Sequence, residues 1–144
     1  MYRSLETYRG FVYPWSIDQV GHMNVASYTG RFDEATWHFL AQLGLTPGFL
    51  KRAGRSAVAA DQKTHYKREV FAGTLLHVTT ELRELGRKSI RFVHHMYDSE
   101  TDEEVASTEL VGVYFDTQRR VSDDLPDIVR ERATTLLVSA AEPA

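Results

Sequence analysis

Within the stretch DQVGHMN, residues 18–24, the chain places a carboxylate, a glycine, an imidazole and a carboxamide, and an apolar-periodic segment starts straight after it. These are parts for attack on a carbonyl: an acid that serves as nucleophile or general base, and a group that stabilises the carbonyl oxygen as it becomes anionic. Asp18, just ahead of a helix start, can face a carbonyl held at that helix's N-terminus. There the free backbone N–H groups point outward and form a ready oxyanion site. Gly21 lets the chain turn tightly and a substrate approach closely. His22 is either a polarising or orienting group or a hydrogen-bond partner of the turn. Asn24 orients Asp18, binds the carbonyl, or caps the helix. A lone aspartate before a helix is more often a cap than a catalyst, so spacing and context have to carry the assignment.

The elements that would hold these residues can be read from periodicity. Residues 8–15 (YRGFVYPW) are aromatic and β-branched and predict a strand, with Pro14 placing its end near a sheet edge. Tyr28, Phe32, Ala35, Phe39 and Leu43 recur at spacings of four and three, which puts them on one helix face. Asn24 or Ser27 would cap that helix; Gly44 and Pro47 would end it. Four strand-like runs follow, over residues 56–66, 75–85, 90–96 and 104–115, with KREVFAG, Gly86-Arg87 and DSETDEE as turns. Pro126, after Asp123 and Asp124, opens a terminal helix toward Leu137. Short connections favour antiparallel neighbours, and the amphipathic helix is the one internal candidate to cover the apolar face of a sheet of about five strands. The expected fold is α+β, a curved antiparallel hotdog sheet around a central helix, as a single domain over residues 1–144.

Composition narrows the function classes. The 144 residues are 42% hydrophobic and 26% charged, with a net charge of -3, which gives no electrostatic reason to expect nucleic acid or an anionic membrane as partner. The absence of cysteine excludes a disulfide scaffold, Cys-ligated zinc and a thiol nucleophile. The first residues lack a signal-peptide core and no stretch approaches a membrane span, so a cytoplasmic protein is expected. His94 and His95 would point to opposite faces of a strand, the other histidines are scattered, and no metal or other cofactor is expected.

D-x-x-G-H-x-N-x-x-x-Y followed by F-D-E-A resembles the acyl-CoA thioesterases of the 4-hydroxybenzoyl-CoA thioesterase-like hotdog family. In that family an Asp ends the first strand, G-H-V-N-N-x-x-Y opens the central helix, and a helix acid precedes Ala. Asp18, Gly21, His22, Asn24, Tyr28 and Glu34-Ala35 fall in register, and the element order follows the family over residues 7–116. The sequence departs at Val25, where a second Asn is common, and at Trp37, where many members carry Arg. The resemblance implies hydrolysis of an acyl-CoA thioester, with Asp18 attacking directly or activating water and the Val25 backbone amide as oxyanion donor. It also implies Asp61, on the second strand, as an outside candidate, since some hotdog enzymes place an acid nearby. Tyr28 belongs by its position to the apolar stripe and so to the core, although the resemblance keeps it near the substrate.

Tyr13 and Trp15 stand just ahead of Asp18, and Trp37 lies off the apolar stripe beside Gly30 and Asp33, so aromatic rings are candidates to line the acyl pocket or an interface. VYPW…GHMNV…FDEATW is also similar to the thioesterases found with carnitine degradation, which act on betainyl-CoA. Ring faces attract a quaternary ammonium by ~0.5–2 kcal/mol. Arg52, Arg55, Lys63, Lys67, Arg68, Arg87 and Lys88 are candidates to hold the phosphates of coenzyme A. Competing readings are a non-catalytic acyl-CoA-binding hotdog module, a hotdog hydratase or dehydratase, and a structural oligomer subunit. Single hotdogs usually hide their sheet edge by pairing, so a homodimer or dimer of dimers is expected.

Overall fold

The computed structural model describes residues 2–136. Its elements run β1 (Leu5–Phe11), α1 (Val25–Gln42), α2 (Pro47–Ala53), β2 (Arg55–Tyr66), β3 (Leu75–Leu85), β4 (Ser89–Asp98), β5 (Glu104–Asp116), β6 (Val121–Ser122) and α3 (Asp127–Leu136). All strand pairs are antiparallel in the order β1-β3-β4-β5-β2, and the two-residue β6 adds to the end of β5. This is a curved hotdog sheet with α1 against its apolar face.

Local chemistry explains the element ends. Asn24 caps α1, its side chain accepting from the Ser27 N–H, and Tyr28, Phe32, Ala35 and Phe39 on one face are buried. Gly44 takes φ +90° just past the helix, a conformation that only glycine adopts cheaply. Thr46 then caps a second, short helix with Pro47 in its first turn.

Three expectations change. The first strand ends at Phe11, and Pro14–Ser16 form a turn of 3-10 helix, so Trp15 is not on a strand. Pro47 starts α2 as well as following the end of α1. The KREVFAG turn after β2 does not join neighbouring strands: among the described strands β2 pairs with β5 alone at one edge of the sheet, whereas β3 lies between β1 and β4. The C-terminal helix is present from Asp127 to Leu136, and Leu137 lies outside the described residues.

The apolar core falls into two clusters. One contains Phe39, Leu43, Leu45, Leu82, Phe92 and Leu110, and the other Val12, Met23, Phe32, Val78 and Met96. A polar row separates them. Thr80 pairs with His94, His94 with Thr108 and Thr108 with Thr64, straight across β3, β4, β5 and β2. Thr36 of α1 meets this row from above, its hydroxyl 2.8 Å from His94 Nε2. His94 Nδ1 lies 2.6 Å from the Thr80 hydroxyl, which lies 2.8 Å from that of Thr7.

Candidate active site at the start of the central helix

The segment from Ser16 to Asn24 folds back on itself. Ile17 and Met23 form a bridge, the Asp18 N–H donates to the His22 carbonyl at 3.2 Å, and the Asn24 N–H donates to the Ser16 carbonyl at 3.0 Å. Asp18 and His22 are therefore backbone partners across a miniature hairpin. At its tip Asp18 Oδ1 accepts the Val20 N–H at 3.0 Å and Gly21 takes φ +91°. The Met23 N–H donates to the Val70 carbonyl at 2.7 Å, which ties the loop to the chain between β2 and β3. Met23 is buried, so the loop is anchored on its apolar side while Asp18 stays partly open to solvent.

Two clefts flank the first turn of α1. The smaller, of ≈ 300 Å³, is lined by His22, Val25, Tyr28 and Tyr66 together with the 67–69 segment. The larger, of ≈ 560 Å³, runs along α1 from Ala26 past Asp33 to Trp37 and is closed by β2 through Ala57, Ala59 and Gln62. Consecutive residues Val25 and Ala26 thus face different clefts. Their N–H groups belong to the helix turn that has no intrahelical acceptors, and the positive end of the helix dipole lies there.

Of the site residues expected from sequence, Asp18, Gly21, His22, Asn24 and Val25 come together in this one loop and helix start. Asn24 is the helix cap. His22 Nε2 lies 3.8 Å from Glu69 across the smaller cleft. Tyr28 is buried, donates its hydroxyl to the Arg68 carbonyl at 3.0 Å and meets Tyr66 edge to face. Burial first, then the nearby Tyr66 and Glu69, hold its phenol above the ordinary pKa. Tyr13 and Trp15 stack at 4.5 Å on the surface, with Trp15 77% exposed, and neither lines either cleft. Trp37 does line the larger cleft. Asp61 pairs opposite Val111 beyond a bulge in β2, whereas Ala59 and Gln62 of the same strand face the cleft. His94 is fully buried and His95 bonds Glu104 on the opposite face.

Among the expected phosphate cations, Lys67 and Arg68 border the smaller cleft, each paired with a carboxylate, Glu104 at 2.8 Å and Glu103 at 2.6 Å. Arg55 is committed elsewhere: it bonds Asp123 at 2.9 Å and pairs with Asp116 at 3.3 Å. The sequence reading passed over Arg31, which bonds the Tyr8 hydroxyl at 2.9 Å and the Phe11 carbonyl at 3.3 Å. It holds α1 against β1, and an arginine one position before Phe32 of the apolar stripe was the available signal.

The chain matches the thioesterase-like superfamily over residues 12–133 and belongs to that family. Comparison with curated protein sequences gave no match. Among solved structures, a Staphylococcus aureus protein in complex with CoA superposes with a TM-score of 0.83 at 17% identity, covering 93% of this chain and 82% of that one. A 1,4-dihydroxy-2-naphthoyl-CoA thioesterase from Synechocystis gives 0.80 at 14% identity, over 94% of this chain and 98% of the other. A gentisyl-coenzyme A thioesterase gives 0.77 at 23% identity, over 87% and 97%. At these identities the structures show that the fold is shared.

Proposed function

We propose that the protein hydrolyses an acyl-CoA thioester to the free acid and coenzyme A. The observation that carries this reading is Asp18 in the loop that leads into the first turn of α1, which a cleft borders at Val25 and another at Ala26, in a member of the thioesterase-like superfamily. The thioester carbonyl sits at the first turn of α1 with its oxygen toward the Val25 N–H. The coenzyme A side lies in the cleft of Lys67 and Arg68, and the acyl side in the cleft of Trp37. Asp18 takes a proton from water as that water adds to the carbonyl carbon. The Val25 N–H stabilises the resulting oxyanion, the C–S bond breaks, and the thiolate leaves with the proton. A direct attack by the Asp18 carboxylate, followed by hydrolysis of the mixed anhydride, uses the same placement. His22 borders the smaller cleft and orients the leaving group; Gly21 keeps the approach open; Asn24 holds the helix start in place.

Betainyl-CoA is the narrower reading of the acyl group. Its support is the Trp37 indole in the larger cleft with the Asp33 carboxylate, since the Tyr13–Trp15 stack lies outside both clefts.

The experiment is thioester hydrolysis by the wild type and by Asp18→Asn across short, aromatic, long and cationic acyl-CoAs. Asp18→Asn is expected to melt like the wild type and to lose at least ~100-fold in rate, the scale for removing a positioned base. Unchanged turnover in the variant removes Asp18 from the mechanism. Binding of acyl-CoA without turnover in the wild type would make the chain a binding module. Equal rates on betainyl-CoA and an uncharged isostere would end the cationic reading alone.

A further inference from the structure

The larger cleft does not stop at its floor. Thr36, Leu40, Ala57, Ala59 and Leu110 line it and also line a recess of ≈ 30 Å³ that lies deeper beneath α1. Phe92, Tyr114 and Leu125 are among the walls that close the recess. Small residues keep it open: the inward positions of β2 and β5 here are Ala57, Ala59 and Gly112, where bulky side chains would otherwise fill the core. A Cβ on Gly112 would come 3.7 Å from Phe92, ordinary contact, so the missing methyl is space and not a steric requirement.

We infer that this recess seats the far end of a long, unbranched, uncharged acyl chain laid along α1 from the carbonyl at its first turn. The inference rests on the thioesterase reading, and on the acyl group it stands against the betainyl one. No Asp, Glu, Lys, Arg or His lines the recess, so a charge placed there would lose its hydration without a partner. Length selects the chain. From Ala26 to Thr36 the helix rises roughly 15 Å at about 1.5 Å per residue, and an extended chain advances about 1.2 Å per bond, so about a dozen bonds reach the recess. A dodecanoyl to palmitoyl chain does so; a butyryl or betainyl group ends near the helix start. At ≈ 30 Å³ the recess has room for the terminal methyl, with the remainder held between Trp37 of α1 and Ala59 of β2.

The test compares kcat/KM for butyryl-, betainyl- and dodecanoyl-CoA in the wild type, Gly112→Ala and Ala59→Leu. Calorimetric binding of free dodecanoate to the same proteins is read beside it. The expected result is a wild-type preference for dodecanoyl-CoA over butyryl-CoA of at least tenfold. Gly112→Ala should reduce that ratio severalfold, Ala59→Leu by tenfold or more, and both should weaken dodecanoate binding. Gly112→Ala adds one methyl at ordinary contact distance from Phe92 and keeps the test decisive where the larger leucine prevents folding. Best activity on butyryl- or betainyl-CoA, or a ratio untouched by Gly112→Ala, overturns the inference and leaves the thioesterase reading standing. Absence of all hydrolysis, with dodecanoate binding still weakened by the variants, keeps the chain seat and overturns the thioesterase reading.

Discussion

His94 shows how tightly one side chain can be held by hydroxyl groups. Its Nε2 lies 2.8 Å from the Thr36 hydroxyl and its Nδ1 2.6 Å from that of Thr80, so both ring nitrogens have a partner although the residue is fully buried. The Thr80 hydroxyl lies 2.8 Å from that of Thr7, which extends the contact from α1 to β1. Burial, with a smaller contribution from the neighbouring His95, holds the His94 pKa down to about 3. The unfolded chain takes up this proton near the ordinary value of ~6.5, so stability is full above that pH and is lost as pH falls toward 3. The loss is on the order of 5 kcal/mol over the whole window, a large share of a typical domain's stability. Urea melts at pH 7, 5 and 4 check it: His94→Gln, which cannot titrate, should lose much less stability on acidification than the wild type. Parallel pH slopes in the two proteins would show that His94 is not the group responsible.

At the scale of elements, the start of α1 depends on one carboxamide. Asn24 Oδ1 holds the Ser27 N–H at 2.8 Å, and Asn24→Ala should cost about 1 kcal/mol in a urea melt, with Asn24→Asp restoring it. Equal midpoints for wild type and Asn24→Ala would contradict the cap. Sequence periodicity located this helix, and β3 over Leu75–Leu85, because each has a single buried face with a clean repeat. It missed α2, whose seven residues are too few for a repeat, although Thr46-Pro47 is a cap followed by a first-turn proline. The aromatic run through Tyr13 and Trp15 imitated a strand because strand propensity ignores the Pro14 turn. The candidate site was legible in part. Asp18, His22, Asn24 and Val25 lie close in sequence, and a local loop joins them. The opposite wall of the larger cleft, Ala57, Ala59 and Gln62, depends on β2 lying at the far edge of the sheet, and no local spacing encodes that.

For the whole molecule, the open edge matters most. β2 is 12 residues long and pairs with β5 alone among the described strands, so its other side presents unpaired backbone groups. A second copy pairing there about a two-fold axis would satisfy them and bring the larger clefts of two subunits beside the joint. Sedimentation at micromolar concentration should give a dimer or a pair of dimers, and a monomer would refute the edge pairing. The order of strands along the chain has a different consequence, for synthesis. β1 and β2, the two outer strands, are made first, while β4, at the middle of the sheet, and β5, the partner of β2, are made last. A ribosome therefore releases a helix with its apolar face exposed and two strands without their partners, and these must wait for residues beyond 75. Pairing of β2 with β5 closes a long loop, so folding is a late and collective event and not a growth from the N-terminus. A nascent chain cut short before β5 keeps the sequence of the Asp18 loop but has no partner strand for β2 and no floor for the larger cleft.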